Sequence, residues 1–385
     1  KVWDDKKINL SINNRIKNLS KELNKVDLIV LSPGISLIKN KKLNKYKDKI
    51  ITDIDLFYLT KNNSKTIVVT GTNGKSTTCK LLAHLLKKNK IKFSLGGNIG
   101  NPILNLRSSK SKFVIIEASS FQLSHSKFIV PNYALFLNLT NDHLDWHGTM
   151  KNYLKSKLKI FRLQSKNDFA LINGNLKKFF VNKHFKSKLI IPNNNYLKNV
   201  KYKLKNDYLM SNINSENIGF VYAFSKLIKK KKKNFFSAMR SFKGLPHRFE
   251  IFLKKKDVTF INDSKATSFS ATESALSGLE NIYWILGGLP KKGDKIRLSK
   301  IKKKVINCYL IGNNINFFSN QLRKKINFSV TKNLKTSIIK ILHDIKLQNR
   351  KDKIVILSPA AASFDQFKNF EKRGDEFKRL CKKYA

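Results

Sequence analysis

Acidic residues and cysteines are scarce in this sequence, and long apolar runs are missing. The 385 residues include 25 Asp and Glu against 78 Lys and Arg, which gives a formal net charge of +53. Cys79, Cys308 and Cys381 are far apart and form no C-x-x-C pair, which argues against a disulfide framework and a zinc site. Without an apolar run of the roughly 18 residues that span a membrane, and without a secretory leader, we expect a cytoplasmic protein.

The excess positive charge comes mostly from lysine and is spread along the whole chain. Lysine, asparagine, isoleucine and phenylalanine are abundant together, which is typical of an A/T-rich genome, and no aromatic–basic stacking pattern accompanies them. A nucleic-acid-binding ATPase is therefore only a distant alternative. A basic surface also attracts anionic substrates, which suits a nucleotide enzyme. We expect small-molecule substrates, no specific nucleic acid and a monomer.

The stretch Thr66–Thr78 has the pattern of a phosphate-binding loop. A short β-branched strand runs into Gly71-Thr-Asn-Gly-Lys-Ser-Thr77, and an apolar-periodic helix follows. In such an arrangement the backbone N–H groups of the loop and of the helix N-terminus face the phosphates. Lys75 would contact the outer phosphates, and the Ser76 hydroxyl would bind Mg²⁺. The stretch therefore predicts a nucleoside-triphosphate site.

Polar side chains also follow two later strands of the same segment. Glu117 ends the apolar run that begins at Phe113, and His143 follows the run that begins at Tyr133. The ligand crevice of an open α/β sheet lies at the carboxyl ends of its strands, so we expect Glu117, His143 and Ser76 to converge on one metal–phosphate centre. Because Mg²⁺ prefers oxygen ligands, Glu117 and Ser76 are the more orthodox ligands of the three.

The alternation of strands and helices predicts an α/β fold with parallel sheets in three domains. Residues 1–55 would form a Rossmann-like domain, residues 56–244 a central domain of the P-loop ATPase type, and residues 245–385 a second Rossmann-like domain. The strand and glycine-rich turn that normally precede a stretch such as residues 1–5 are not present. We therefore expect the first domain to be incomplete at its N-terminus.

Three further groups of polar or turn-forming residues stand beside predicted strands and helices. Asn214 and Asn217 share one helix face, where they either contact a nucleotide or cap the helix. The polar stretch 262–267 follows a strand of the third domain. By itself, the stretch 32–34 indicates a tight turn.

Together these motifs resemble the Mur ligase family, and within it the members that add D-glutamate. The resemblance covers nearly the whole chain, in the order of the family's motifs. Of the motifs that follow, the first and third are shared with folylpolyglutamate synthases and the last three are more specific: Gly71-Thr-Asn-Gly-Lys-Ser-Thr77, Glu117-Ala-Ser-Ser-Phe-Gln-Leu123, Asp142-His-Leu-Asp145, Leu245-Pro-His-Arg-Phe-Glu250, Asn262-Asp-Ser-Lys-Ala-Thr267 and Leu357-Ser-Pro-Ala-Ala-Ala-Ser-Phe-Asp-Gln-Phe367.

The resemblance implies an ATP-dependent ligase of peptidoglycan precursor synthesis. ATP would phosphorylate the free carboxylate of UDP-N-acetylmuramoyl-L-alanine, and the amine of D-glutamate would attack the resulting acyl phosphate. Lys75 and two Mg²⁺ ions would supply positive charge where phosphate charge develops. The alternatives within this class are a sibling ligase that adds another amino acid and an amide ligase like folylpolyglutamate synthase.

The resemblance also implies roles for individual residues. Catalytic roles fall on Lys75, His143 and Lys157. The metal ligands would be Ser76, Glu117, His143 and a carbamylated Lys157, which has Lys155 and Lys159 as close neighbours. The implied ATP contacts are Gly71, Thr72, Asn73, Gly74, Lys75, Ser76, Thr77, Thr78, Asn214, Asn217, His247, Arg248 and Asp263. The implied contacts to the UDP-sugar are Asp4, Asp5, Ser32, Pro33, Gly34 and Asn98, and those to D-glutamate are Lys265, Thr267, Lys291 (or its neighbour Lys292), Ser363 and Phe370.

Overall fold

The computed structural model describes most of the chain. The described residues are 16, 18–60, 63–106, 110–193, 201–210, 214–291, 293–297, 299, 301–348 and 350–385. They form two compact units, Lys1–Pro192 and Asn193–Ala385. The domain boundaries expected from the sequence, after residues 55 and 244, stay predictions. In the described part of the chain, no helix is both long and apolar enough to cross a membrane.

The first unit begins with a small two-stranded parallel sheet. Its elements are α1 (Leu19–Lys25), β1 (Ile29–Val30), α2 (Lys41–Asn44), β2 (Ile50–Ile51) and α3 (Asp53–Leu59). Strands β1 and β2 pair in parallel, and a small apolar cluster is built from Leu23, Leu31, Leu43 and Ile50. The chain leaves β1 into the turn that contains residues 32–34.

The larger sheet of the first unit has six parallel strands. Its elements are β3 (Lys65–Thr70), α4 (Lys75–Lys88), β4 (Phe93–Gly97), β5 (Phe113–Glu117), α5 (Ser120–His125), β6 (Tyr133–Phe136), α6 (Leu144–His147), α7 (Met150–Arg162), β7 (Phe169–Ile172), α8 (Lys177–Val181) and β8 (Lys188–Ile190). The strand order is β4-β5-β3-β6-β7-β8. Strand β3 lies between β5 and β6, and its Ile67, Val68 and Val69 are fully buried, as expected for a strand covered on both faces. The segments that follow β5 and β6 therefore flank the phosphate loop.

The second unit opens with helices and continues as a second six-stranded sheet. Its elements are α9 (Asp207–Met210), α10 (Ser215–Leu227), α11 (Lys232–Arg240), β9 (Glu250–Lys255), β10 (Val258–Asn262), α12 (Phe269–Leu276), β11 (Ile282–Gly287), β12 (Val305–Ile311), α13 (Ile315–Leu322), β13 (Phe328–Lys332), α14 (Leu334–Lys346), β14 (Lys353–Leu357) and α15 (Phe370–Tyr384). The strand order is β13-β12-β11-β14-β10-β9, with β9 and β10 paired antiparallel and the other pairs parallel. Because β14 lies between β11 and β10 and is parallel to both, the carboxyl ends of these three strands are neighbours.

The α/β class predicted from the sequence is confirmed, with both large sheets mostly parallel. The predicted phosphate-loop strand and helix are present as β3 and α4. The edge hairpin β9–β10 is the one departure from parallel pairing among the described strands.

Candidate active site

The phosphate loop joins β3 to α4 through two glycines. Gly74 has φ +82° at the N-terminus of α4, a conformation that glycine adopts at the lowest cost. Lys75 folds back over the loop, where its Nζ donates to the carbonyls of Gly71 at 2.9 Å and Thr72 at 2.8 Å. Ser76 is buried in the first turn of α4. The loop therefore gathers an ammonium group, a hydroxyl and a helix N-terminus at one place, which suits a polyphosphate.

Asn138, which follows β6, holds this loop from the side. Its backbone carbonyl accepts a hydrogen bond from Thr72 N at 3.0 Å, and its side-chain oxygen accepts one from Asn73 N at 2.9 Å. Thr72 is held again through its hydroxyl, which lies 3.1 Å from the hydroxyl of Tyr153 on α7. The loop is thus fixed by β6 and α7 as well as by its own strand and helix.

Glu117 lies at the end of β5 with only one of its carboxylate oxygens engaged. The side chain is 2% exposed, and its Oε1 accepts a hydrogen bond from Asn98 Nδ2 at 2.9 Å. Its Oε2 is buried and has no hydrogen-bond partner among the described residues. Gly97 permits this close approach of β4, since it has φ +98° and a Cβ there would lie 2.5 Å from the Glu117 carbonyl oxygen. A buried carboxylate oxygen without a partner suits a hard divalent cation.

Lys157 points from α7 to the same loop. It is 1% exposed, its Nζ donates to the Gly71 carbonyl at 2.8 Å, and the ammonium group lies 4.5 Å from the centre of the Tyr153 ring. Burial, together with the nearby charge of Lys75, lowers the pKa of Lys157 well below its usual value. The neighbouring Lys155 is exposed, and Lys159 donates to backbone carbonyls elsewhere on the unit. Of these three lysines, the structure places Lys157 at the phosphate loop.

His143 stands where the segment after β6 turns into α6. Its backbone has φ +54°, its Nε2 lies 3.3 Å from Asp142 Oδ2, and its ring packs against Phe121 at 4.7 Å. No group of three or more His, Cys, Asp or Glu side chains in a metal-binding arrangement occurs among the described residues. Mg²⁺ is commonly held by one or two protein carboxylates, with substrate phosphates and waters completing its ligands. The residues at this site fit that kind of metal binding.

The structure describes four of the six predicted UDP-sugar contacts. Ser32, Pro33 and Gly34 form the turn after β1, with Ser32 and Gly34 exposed. Asn98 directly follows β4 and donates to Glu117. Asp4 and Asp5 lie outside the described residues.

In the second unit, Asp263 is buried directly after β10. Its carboxylate accepts hydrogen bonds from Ser358 Oγ at 2.8 Å and from Phe249 N at 3.0 Å. Burial raises the pKa of Asp263 to about 7, against the smaller opposing effects of these two bonds and of Arg248. The carboxyl group therefore titrates near neutral pH, and Arg248 is close enough to influence it.

His247 lies beside the same strand end. Its Nδ1 is 3.0 Å from Asn262 Nδ2, and its backbone N–H donates to Glu250 at 2.9 Å. Burial lowers the pKa of His247, with Lys378 adding to the effect. A neutral imidazole with one apolar side, facing Phe370 at 6.0 Å, is able to pack against a planar base.

The predicted D-glutamate contacts lie after neighbouring strands. Lys265 follows β10, and its Nζ lies 3.7 Å from the centre of the Phe370 ring, a cation–π contact that orients the amine. Ser363 follows β14 and is buried, whereas Thr267 and Lys291 are partly exposed. Lys292 lies outside the described residues.

Asn214 and Asn217 are both buried at the start of α10. Asn217 donates to the Asn214 side-chain oxygen at 3.2 Å, and Asn214 donates to the Tyr208 carbonyl at 2.8 Å. The Asn214 side chain makes no cap bond to the helix. Of the two roles expected from the sequence, capping by this side chain is therefore wrong.

Comparison with known proteins now assigns the chain to a family. A family model described as Mur ligase middle domain matches residues 69–240. The chain is 35% identical over 413 residues to the UDP-N-acetylmuramoylalanine–D-glutamate ligase of Rickettsia felis, covering 100% of this chain and 92% of the relative. The protein of the same name from Rickettsia bellii is 36% identical over 380 residues, covering 92% and 84%. The chain belongs to the Mur ligase family.

The fold agrees with this membership. The crystal structure of MurF ligase from Thermotoga maritima in complex with ADP superimposes with a TM-score of 0.58 at 18% identity, covering 88% of this chain and 87% of that chain. A Mur ligase is an ATP-dependent enzyme that forms an amide bond, and this chain is one. The recognition of the family from its motifs is therefore confirmed.

Sequence reasoning missed two buried residues of this Mur ligase. His147 is 1% exposed, its Nε2 lies 3.0 Å from Ser120 Oγ, and its pKa is lowered to about 4 by burial and by nearby positive groups. Arg373 is 1% exposed and joins the segments after β10 and β14 by donating to Ser264 and to the Ala361 carbonyl. In the sequence, only their positions close to recognised motifs could have drawn attention to these two residues. Their burial is visible only in the packed structure.

Proposed function

We propose that this ligase adds D-glutamate to UDP-N-acetylmuramoyl-L-alanine in the cytoplasm, as a step of peptidoglycan precursor synthesis, and that it does so as a monomer. The observation that carries the choice of substrate is the 35% identity to a D-glutamate ligase over the full length of this chain. Fold similarity alone would also suit a sibling ligase, because the family shares one architecture. The match to motifs of the third domain favours D-glutamate.

The proposed reaction has two steps. The terminal phosphoryl group of ATP passes to the carboxylate of the alanyl residue, which gives an acyl phosphate and ADP. The neutral amine of D-glutamate then attacks the acyl carbon, the tetrahedral intermediate expels inorganic phosphate, and the amine loses a proton. Both steps require alignment of the reactants and positive charge near the phosphoryl oxygens.

Residues of the phosphate loop meet the second requirement. The Lys75 ammonium already lies against the loop carbonyls, and ATP would draw it to the outer phosphates. The loop N–H groups at the start of α4 would hold the remaining phosphate oxygens. The implied ATP contacts of the second unit, Asn214, Asn217, His247, Arg248 and Asp263, would bind the base, ribose and phosphates.

The proposed metal ligands are Ser76, Glu117, His143 and Lys157. When bound, Mg²⁺ would neutralise phosphate charge. Support for this proposal comes from the unpartnered, buried Glu117 Oε2 and from the burial of Ser76. Two ions are implied by the family resemblance.

Carbamylation would convert Lys157 into an anionic ligand. The reaction requires a neutral amine, whose lone pair attacks the carbon of CO₂ while the nitrogen gives up a proton. The lowered pKa of Lys157 increases the share of that neutral form at neutral pH. The buried position next to Gly71 would protect the carbamate from water.

Substrate contacts are proposed from the resemblance. D-glutamate would meet Lys265, Thr267, Lys291, Ser363 and Phe370, since a desolvated dicarboxylate requires charged and hydroxyl donors. The UDP-sugar would meet the turn Ser32–Gly34 and, outside the described residues, Asp4 and Asp5. Asn98 would act at least partly through Glu117, to which its amide is bonded.

The deciding experiment measures phosphate release with ATP, Mg²⁺ and UDP-N-acetylmuramoyl-L-alanine. We expect release with D-glutamate and none with L-glutamate or without an amino acid, and the variant Lys75→Ala serves as the inactive control. Release with another amino acid would assign the chain to a sibling activity. Phosphate release that depends on DNA and falls steeply with salt would instead support the nucleic-acid-binding alternative.

A further inference from the structure

Trp146 connects two parts of the first unit that are distant in sequence. Its backbone carbonyl accepts a hydrogen bond from Ser36 Oγ, 110 residues away, at 3.1 Å. Its indole Nε1 donates to the carbonyl of Gly34 at 3.4 Å. Ser36 is only 6% exposed. Both bonds therefore end on the segment that contains the proposed UDP-sugar turn.

The indole ring is also packed on its other side. Its centre lies 4.9 Å from the Phe121 ring and 5.6 Å from the His125 ring, both on α5, and 4.6 Å from the ring of the adjacent His147. Phe121 in turn packs against His143 at 4.7 Å. Phe121 thus contacts both Trp146 and a proposed metal ligand.

These contacts define what the side chain contributes. A distance of 3.4 Å is long for an N–H···O bond, so ring packing supplies most of the attachment and the indole N–H supplies direction. The Ser36 bond is shorter and reaches the backbone, so it survives any change of the Trp146 side chain that leaves the turn folded. The side chain and the Ser36 hydroxyl are therefore two separable links to the same turn.

We propose that Trp146 is a positioning residue that holds the Ser32–Gly34 turn in register with His143 and the phosphate loop. The inference rests on the proposed function, because it takes this turn as the seat of the UDP-sugar. A substrate that is bound at its UDP end must place its alanyl carboxylate at the phosphate loop. Trp146 fixes the position of the UDP-binding turn relative to that loop. None of the contacts named above involves the phosphate loop itself, although Phe121 also packs against the proposed metal ligand His143. Nucleotide affinity measured without metal is therefore an internal reference.

The test compares four variants in direct binding measurements. Trp146→Ala removes the ring, Trp146→Phe keeps an aromatic ring without the N–H, and Ser36→Ala removes only the bond to the backbone. Leu144→Ala is the matched control, since this side chain lies on the same helical turn and is 37% exposed. Calorimetry gives separate dissociation constants for UDP-N-acetylmuramoyl-L-alanine and, without metal, for the ATP analogue AMP-PNP.

We expect Trp146→Ala to weaken binding of the sugar nucleotide about tenfold or more, through the loss of several ring contacts. Ser36→Ala should weaken it about two- to tenfold, as one neutral hydrogen bond predicts. The affinity of Trp146→Phe for the sugar nucleotide should lie between those of the wild type and Trp146→Ala. AMP-PNP affinity should stay within about twofold in all variants, as expected for independent sites. In turnover, KM for the sugar nucleotide should rise more than kcat falls.

Four outcomes would overturn the inference, and the last of them would overturn the proposed function as well. Sugar-nucleotide affinity in Trp146→Ala that equals wild type would show that the ring positions nothing, and equal losses for both ligands would indicate general destabilisation. If Trp146→Ala does not fold, Trp146→Phe and Ser36→Ala decide, and wild-type affinity in both would also refute it. A wild-type chain that binds AMP-PNP but not UDP-N-acetylmuramoyl-L-alanine would instead refute the proposed function, and the inference with it.

Discussion

The bond between Asn98 and Glu117 makes a quantitative prediction about metal binding. Asn98 Nδ2 donates to Glu117 Oε1 at 2.9 Å, whereas the buried Oε2 has no partner. The geometry allows a cation to take Oε2 while the amide keeps Oε1, so the bond orients the carboxylate in both states. The variant Asn98→Ala removes that orientation and leaves the backbone bond from residue 98 to the Glu117 carbonyl in place.

The magnitude follows from what an orienting group contributes to a metal ligand. Loss of such a group typically reduces metal affinity about 10- to 100-fold, which corresponds to about 1.4–2.7 kcal/mol. One effect opposes this loss. Without the hydrogen bond from the Asn98 amide, the buried Glu117 carboxylate is stabilised more by binding a cation. We expect loss of orientation to prevail, since the free carboxylate must be immobilised again on binding.

The assay is a Mn²⁺ titration followed by electron paramagnetic resonance, with ADP present and with Mg²⁺ as the competitor. Asn98→Ala should raise the Mn²⁺ dissociation constant about 10- to 100-fold, and Asn101→Ala, an exposed side chain on the same loop, should leave it unchanged. Thermal unfolding without metal checks that the variant is folded. Unchanged or tighter Mn²⁺ binding in a folded Asn98→Ala protein would refute the reasoning.

Three further predictions concern groups with shifted pKa values. With ¹³C-bicarbonate, the carbamate resonance in the NMR spectrum should vanish in Lys157→Met and persist in Lys155→Met; its persistence in Lys157→Met would exclude Lys157 as the modified residue. Because the pKa of His147 is lowered to about 4 from 6.5, its neutral form stabilises the fold above pH 6.5, and stability is lost as the pH falls towards 4. Urea unfolding should show that His147→Gln loses less stability than the wild type as the pH falls. The same dependence of stability on pH in both proteins would contradict this. Because the pKa of Asp263 is raised to about 7 from 3.8, stability should fall between those pH values as the pH rises. The difference in the free energy of unfolding between the wild type and Asp263→Asn should change by about 4 kcal/mol over that pH range. A difference that stays constant with pH would argue against a buried, titrating carboxyl.

The phosphate loop illustrates what local sequence is able to determine. A β-branched strand, two glycines and a periodic apolar helix specify β3, the loop and α4, because each of these preferences acts over a few residues. Local pattern also places Glu117 and His143 after strands that flank β3. The family motifs then add chemistry that no periodicity contains, such as the identity of the amino-acid substrate.

The choice among the three lysines of α7 shows the limit of such reasoning. Lys155, Lys157 and Lys159 differ by two positions each, and sequence alone allows any of them near the metal. Only the packing of α7 against the sheet buries Lys157 at Gly71 and turns the other two away. The face of a helix is fixed by its neighbours, which are distant in sequence.

The sequence by itself determined the α/β class, the phosphate loop, the order of the strand-end residues and the family. Tertiary structure alone decided that β14 enters between β11 and β10, that the Asn98 amide holds Glu117 and that Trp146 reaches back to the turn at Gly34. The physical reason is range. Backbone propensities and hydrophobic periodicity act between near neighbours in the chain, whereas hydrogen bonds and ring contacts between distant segments exist only after those segments have packed together.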